Sequence, residues 1–279
     1  MNKKTLRIAE ELVKTAEDLI FADSDYIYDP DHKKKPGGGY HKTEKGWSKK
    51  EEKKEKSTSS PKVEMTDEQK RLDKLSKSDT YTKRSLSKNR NCHPKTLEKL
   101  SRDEDEEVRR GVASNPNTPK KILKKLSNDP HPFVVCGYCE NPTTPPEDLE
   151  KFSHHPEIAV RWGVASNPNT PAKVLDELSK DNKFDVKLNV ADNPSTPIKT
   201  LEKLSDAPSE KIRGYVAHNP TTNEEILDKL SNDDYWFTRA GVAKHKNTSL
   251  KTLEKLSKDN NDYVAEHAKK NISQRKGNK

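Results

Sequence analysis

The sequence predicts an all-α protein: a right-handed solenoid of about eight 26-residue, two-helix units, preceded by an amphipathic helix and a disordered linker. Three observations predict this fold class. One 26-residue pattern recurs in register, only 28% of the residues are hydrophobic while 36% are charged, and the mean hydropathy is −1.19. Such a composition lies near the border of disorder, so one large core would be hard to fill. A stack of repeats needs only a few regularly placed apolar residues.

The first element, residues 1–21, is predicted to be an amphipathic helix because apolar side chains recur at helical spacing in KTLRIAEELVKTAEDLIF. Charges of both signs on the opposite face favour docking on protein over lying on a membrane. The docking surface is either a separate partner or the chain's own solenoid. Both alternatives are open.

Residues 22–64 are predicted to be a flexible linker. They contain Pro-Gly-Gly-Gly, a Lys/Glu run and a Ser/Thr cluster, which bury too little apolar surface to offset the entropy of ordering. Aromatic residues beside lysines leave a second reading, in which the segment is a short peptide ligand or a weak nucleic-acid contact.

The repeats occupy residues 65–272 and are followed by a basic tail at residues 273–279. Six segments align without an insertion, from VRRGVASNPNTPKKILKKLS to TRAGVAKHKNTSLKTLEKLS, which begins at Thr238. A degraded copy precedes them from Thr82, and the half-unit YVAEHAKKN closes the array near Asn271. Each unit reads as two helices of about two turns, which require stacked neighbours for stability.

The recurring columns predict local roles. Pairs such as Thr118-Pro119 fit the N-cap and first turn of the second helix. A mid-helix glycine such as Gly111 costs helix stability, so its recurrence predicts a close approach between helices. Asn-Pro pairs such as Asn115-Pro116 end the first helix, and the stacked asparagines are expected to bond to the backbone of turns in adjacent units.

The pattern VRxxVAxNPxTPxxxLxxLS resembles that of the leucine-rich repeat variant family. The resemblance extends from near Met65 to Asn271. It implies a HEAT-like solenoid in which short α-helices alternate with 3₁₀-helices. It implies a scaffold, and the fold alone names no partner. Some members of this family carry an N-terminal iron–sulfur domain with clustered cysteines, which this chain lacks, so no cofactor is expected.

Charge and cysteine usage bound the function further. The net charge of +8 and the pI near 9.1 permit an acidic partner such as nucleic acid. Three cysteines make no disulfide framework and suit a reducing compartment. Because no apolar run approaches a membrane span and the N-terminus lacks a signal peptide, a cytoplasmic protein with no membrane partner is expected.

A basic column recurs one residue after the first core valine, and its members are Arg109, Arg161, Lys187, Arg213 and Arg239. Spaced by one unit, these side chains could follow an acidic polymer such as nucleic acid. The alternative is a structural ladder with the aspartates that end the preceding units, namely Asp103, Asp129, Asp181, Asp233 and Asp259. The ladder is the favoured reading.

The next column varies in identity but is apolar in three successive units, at Cys136, Trp162 and Leu188. It lies nearly opposite the second core valine on a helical wheel. If exposed, these residues form a contiguous partner-binding patch. If the helix faces a neighbour there, they belong to the core.

No catalytic or metal-binding set emerges from the sequence. Cys136 and Cys139 form a CxxC spacing, but Cys139 occupies a column of alanines and is expected to be a small buried residue. His154-His155 lies at a turn without a nearby set of cysteines or carboxylates. The chain is therefore predicted to be neither an enzyme nor a binder of a small-molecule substrate.

Two functions remain. The first is a non-catalytic scaffold that mediates protein–protein interaction. The second is a nucleic-acid-binding module that uses the basic column and the Lys-rich linker. The leader of helix and basic linker also looks like those of phage or mobile-element proteins.

Overall fold

The computed structural model describes Thr66, Lys70, Lys74, Leu75 and residues 78–277. The predicted helix at 1–21, the linker at 22–64 and most of the predicted N-terminal cap lie outside the described residues. Within the described part, all regular structure is helical. This confirms the predicted all-α solenoid of 26-residue, two-helix units.

Each unit consists of a nine-residue A helix and a seven-residue B helix. The A helices are α1 (Thr80–Lys88), α3 (Glu106–Ser114), α5 (Pro132–Glu140), α7 (Ile158–Ser166), α9 (Phe184–Asp192), α11 (Glu210–His218) and α13 (Trp236–Lys244). The B helices are α2 (Pro94–Leu100), α4 (Lys120–Leu126), α6 (Pro146–Phe152), α8 (Ala172–Leu178), α10 (Ile198–Leu204), α12 (Glu224–Leu230) and α14 (Leu250–Leu256). The last A helix, α15 (Asp262–Gly277), is longer and ends the described array.

The core repeats with the sequence. Val160, Val164 and Ala165 of α7 are fully buried, as is Leu175 of α8, and the equivalents of Leu175 in the other units are buried. Because each helix is only about two turns long, this shared hydrophobic core, rather than helix propensity, holds the array together. None of the helices among the described residues is long and apolar enough to cross a membrane.

Neighbouring A helices pack directly on one another along the array. The recurring glycines permit this close approach, as predicted. A Cβ atom on Gly137 would lie 2.8 Å from the carbonyl oxygen of Arg110, and one on Gly163 would lie 2.7 Å from that of Cys136. Both distances are too short for any side chain, so these two positions require glycine, although Asn189 and Tyr215 occupy the same column in later units.

A ladder of buried asparagines joins the ends of the A helices, which confirms the predicted role of this column. The side-chain amide of Asn167 donates to the carbonyl oxygens of Cys139 (2.6 Å) and Asn141 (2.8 Å) in the preceding unit. Its Oδ1 atom accepts from the backbone N–H of Asn169 and shapes the turn. His245 replaces asparagine once, with Nε2 2.9 Å from the carbonyl oxygen of Asn219.

Three details differ from the sequence-based expectations. Thr118 does not cap α4; its hydroxyl donates to the carbonyl oxygen of Val112 at 2.6 Å, and Pro119 stands at the N-cap without a side-chain bond. The same bond recurs down the threonine column, where the buried hydroxyl gives a carbonyl oxygen in the last turn of the A helix a second donor beside the C-cap N–H. Both helices of every unit are α-helices, rather than α alternating with 3₁₀. The basic tail expected from residue 273 continues α15 to Gly277.

Candidate functional site

The turns that connect each B helix to the next A helix line one edge of the solenoid, here called the turn edge. The basic column lies there, and its arginines are bonded to other residues of the solenoid. Arg161 Nε and Nη2 donate to the carboxylate of Asp181 at 2.6 and 3.2 Å, and Nη1 donates to the carbonyl oxygens of His155 and Pro156. Equivalent bidentate pairs join Arg109 to Asp129, Arg213 to Asp233 and Arg239 to Asp259.

The ladder that the sequence favoured therefore exists, but in a different register. Each arginine pairs with the aspartate twenty residues later, and only the backbone carbonyls come from the turn that precedes it. The two side chains of the Arg239–Asp259 pair are 13% and 7% exposed. Hydrogen bonds from Arg239 hold the pKa of Asp259 below its usual range. Such guanidinium groups are not free to bind phosphates.

Lys187 differs from the arginines of its column. It is half-buried, and the residue twenty positions further on is Ala207, not an aspartate. In the unit where Val135 replaces the basic residue, the residue twenty positions further on is His155, which is not an aspartate either. The basic column is therefore not a continuous cationic track along the turn edge.

The predicted partner column is mostly inside the protein. Cys136 is 1% exposed and Leu188 is 7% exposed, so the core alternative describes both side chains. Trp162, between them in sequence, is half-buried and packs against the core. The three residues follow one another in successive A helices but do not form an exposed patch, because each A helix packs on its neighbours at this position.

An exposed apolar row occurs one turn earlier in the same helices. Phe133, Ile158 and Phe184, at the N-termini of α5, α7 and α9, are 48%, 39% and 38% exposed. We call these three residues the apolar row. Ile158 and Phe184 precede Trp162 and Leu188 by four residues and so share their helix face. The flanking units begin with charged pairs instead, at Glu106-Glu107 and Glu210-Lys211, which limit the row to three units.

A groove of about 740 Å³ opens beside the row, between two successive turns. Ile158 and Arg161 form part of its wall, together with residues 153–157 and 177–183 except Ser179. Carboxylates and cationic groups both line it, so its charge is mixed. Burial lowers the pKa of His155, which keeps this wall residue neutral near pH 7.

The remaining candidates lack the features of a reactive centre. Cys136 and Cys139 are buried free thiols, and burial raises the pKa of both. A protonated, inaccessible thiol is a poor nucleophile. Over the described part of the chain, no group of three or more His, Cys, Asp or Glu residues is arranged to hold a metal ion.

The described residues define a helical repeat protein of the solenoid class. No family model matches the chain, and no curated protein matches it. Solved structures do. One, described as a leucine-rich repeat variant with a novel repetitive structural motif, is 24% identical over 72% of this chain and 79% of its own, with a TM-score of 0.44. The chain is thus similar to a structure of the family that its motif resembles.

Two other similar structures are synthetic. An engineered protein is 15% identical, covering 72% of this chain and 77% of its own, with a TM-score of 0.36. A designed armadillo repeat protein is 16% identical, covering 74% and 98% of the two chains, with a TM-score of 0.29.

Proposed function

We propose that this protein is a non-catalytic scaffold that binds another protein through the apolar row. The observation that supports the proposal is the recurrence of a large exposed apolar side chain at the start of three successive A helices, Phe133, Ile158 and Phe184. Single exposed apolar residues are ordinary, whereas exposed apolar residues near the start of three successive A helices, bounded by charged units, form a defined surface. Ile158 and Phe184 occupy the same repeat position, and Phe133 lies one position later in its unit.

The dimensions suit a peptide segment better than a small molecule. Packed helices lie about 8–10 Å apart, so three successive A helices place the ends of the row roughly 20 Å apart. An extended segment of about six residues spans this distance. Apolar side chains of such a segment would contact the row, and its polar backbone would face the mixed charges of the adjacent groove.

The nucleic-acid alternative loses its main support at the basic column, because the arginines are paired with aspartates and with backbone carbonyls. The Lys-rich segment 22–64 that the alternative also invoked lies outside the described residues. Protein binding is therefore the function that the turn edge supports best.

The test is selection of a random peptide library on the immobilised full chain, followed by measured affinities of selected peptides for variants. Ile158→Asp places a charge in the row and is expected to weaken binding at least tenfold. Ile198→Asp is the matched control, since Ile198 is also 39% exposed and begins a B helix outside the row. Its affinity is expected to equal that of the wild type.

Equal losses in the two variants would show that the selected peptides bind apolar surface without preference and would refute the proposed site. Binding that survives Ile158→Asp but is abolished by deleting residues 1–64 would assign the interaction to the N-terminal segment instead.

A further inference from the structure

The net positive charge of the chain is concentrated at one end. Residues 65–243 contain 29 lysines and arginines and 29 acidic residues, so most of the solenoid is electrically balanced. Residues 244–279 contain ten lysines and arginines against four acidic residues. This imbalance accounts for most of the formal charge of +8. A local excess of cations attracts anions to one place on a balanced surface.

Part of this excess lines a pocket of about 510 Å³ between the end of α13 and the side of α15. Lys244, Lys246, Lys270 and Arg275 contribute four cations, and no carboxylate is among the lining residues. The groove beside the apolar row, by contrast, has walls of both charges. We call the C-terminal pocket the cationic pocket.

Hydrogen bonds fix the walls of the cationic pocket. Arg275 Nη1 and Nη2 donate to the carbonyl oxygens of Thr248 and Lys246, each at 2.7 Å. Asn271 Nδ2 donates to the carbonyl oxygen of Ala243 at 3.0 Å. These bonds hold α15 against the preceding unit. Lys246 and Lys270 are exposed and belong to opposite walls, so both ammonium groups are accessible to a ligand.

An exposed aromatic surface continues from the cationic pocket. Lys244 Nζ lies 2.6 Å from the Tyr263 hydroxyl and 4.7 Å from the centre of its ring. The Tyr263 ring lies 4.2 Å from the ring of His267, which lines the pocket, and 5.8 Å from that of Trp236. Tyr263 and Trp236 are 44% and 42% exposed. Two large, partly exposed rings therefore lie beside the cations of the pocket.

We propose that the cationic pocket and the adjoining Tyr263 and Trp236 bind single-stranded nucleic acid. Lys246 and Lys270 attract phosphate groups, and the exposed rings stack with unpaired bases, the combination that single-strand binding proteins use. A duplex buries its base faces, and an acidic peptide has no flat ring for each charge, so the aromatic surface favours single strands. This site lies outside the apolar row and is independent of the proposed protein binding.

The first test measures fluorescence anisotropy of labelled single-stranded DNA and RNA of about 12 nucleotides with the full chain over a salt series, since one single-strand binding fold covers about 4–16 nucleotides. Each phosphate contact on a single strand contributes about 0.7 to the slope of log affinity against log salt, so Lys246→Ala with Lys270→Ala is expected to reduce the slope by about 1.4. Lys124→Ala with Lys125→Ala removes the same charge from exposed positions of α4 and is expected to leave the slope unchanged.

The second test separates stacking from charge. Tyr263→Ala is expected to weaken single-strand binding about tenfold without changing the salt slope. Tyr81→Ala is the matched control, because Tyr81 is an exposed tyrosine at the same second position of an A helix. Circular dichroism verifies folding, and Trp236→Ala replaces Tyr263→Ala should that variant unfold.

Several outcomes overturn the proposal. They are no binding of either strand at low salt, equal effects of the two lysine double variants, and tighter binding of a duplex than of a single strand. A polyglutamate competitor that displaces the oligonucleotide at equal charge, together with unchanged binding by Tyr263→Ala, would assign the pocket to acidic protein. Equal binding of DNA and RNA supports the site without a role for the 2′-hydroxyl, and preference for RNA adds one.

Discussion

Arg161 of α7 forms hydrogen bonds with both the preceding and the following inter-unit turn of the solenoid. Its Nε atom lies 2.6 Å from the carboxylate of Asp181 in the following turn, and its Nη1 atom lies 2.8 Å from the carbonyl oxygen of His155 in the preceding turn. Asp181 also accepts from the backbone N–H of Lys183. The Arg161–Asp181 pair therefore forms hydrogen bonds with backbone groups of both turns and links neighbouring units. Such links between units give a stack of short helices its cooperativity.

Loss of one partner from this pair is expected to be costly. Asp181→Ala leaves a guanidinium group that is mostly buried without its carboxylate, and we expect the free energy of unfolding to fall by about 3 kcal/mol. Urea titration followed by circular dichroism measures the change. Asp206→Ala is the control, because Asp206 is exposed and its ion pair with Lys229 is solvated.

The chain itself suggests how to restore stability. Val135 and His155 occupy the positions of the pair in the preceding unit, and His155 Nδ1 accepts from the turn N–H of Glu157 as the aspartate does elsewhere. Arg161→Val combined with Asp181→His is expected to recover more than half of the lost stability. A double variant as unstable as Asp181→Ala would contradict a pairwise ladder.

The same pairs show how far the sequence alone could go. Comparing each basic residue with the position six residues before it pairs Arg161 with His155, whereas comparison with the position twenty later pairs it with Asp181. The position twenty residues later also changes in the two units that lack the arginine: it is His155 for Val135 and Ala207 for Lys187. The correct pairing could therefore be read from the way the two positions change together between units. The asparagine ladder followed directly from the repeat, whereas the N-cap of α4 and the end of α15 did not.

The burial of the predicted partner column, which contains Cys136, Trp162 and Leu188, could not be predicted from the sequence in the same way. Cys136 and Leu188 are apolar on a helix face that a helical wheel places opposite the core, yet the packing of neighbouring A helices covers them. The exposed Phe184 lies one turn before Leu188 in the same helix. How closely successive helices stack depends on three-dimensional packing, which no single repeat reveals.

The asparagine ladder supports a further prediction. Asn167→Ala removes two donors from the buried carbonyl oxygens of Cys139 and Asn141, and we expect a loss of about 2–4 kcal/mol in the free energy of unfolding. Asn169→Ala is the control: Asn169 also donates to a carbonyl oxygen of the preceding unit, but it is exposed. Its loss should stay below about 1 kcal/mol because water replaces the bond. Equal losses of unfolding free energy in Asn167→Ala and Asn169→Ala would contradict the idea that burial strengthens the contribution of the ladder.

A neutral histidine at the turn edge predicts pH dependence. Burial lowers the pKa of His155 in the folded protein, while the unfolded value is about 6.5. Its contribution to stability is therefore complete above about pH 6.5 and is lost as the pH falls through the lower folded value. We expect the free energy of unfolding to decline as the pH falls below about 6.5, and to decline less in His155→Asp, which restores the common turn residue. Parallel curves for the two proteins would contradict this assignment.

Gly163→Ala tests the close approach of A helices. Alanine favours an isolated helix by about 1 kcal/mol over glycine, so local propensity predicts stabilisation. The new Cβ atom would lie 2.7 Å from the carbonyl oxygen of Cys136, a backbone atom that cannot move without shifting α5. We therefore expect a net loss of about 1–3 kcal/mol, measured by thermal or urea unfolding. A more stable variant would show that neighbouring units tolerate wider spacing.

The cysteines provide a test of burial that needs no substitution. Cys92, Cys136 and Cys139 are free and buried, and burial raises the pKa of the last two. A thiol must be ionised and accessible to attack a disulfide reagent such as DTNB. We expect no rapid reaction in the native protein at pH 8 and reaction of all three thiols in guanidinium chloride. Two fast-reacting thiols in the folded protein would instead place the Cys136–Cys139 pair at the surface and reopen a redox role for it.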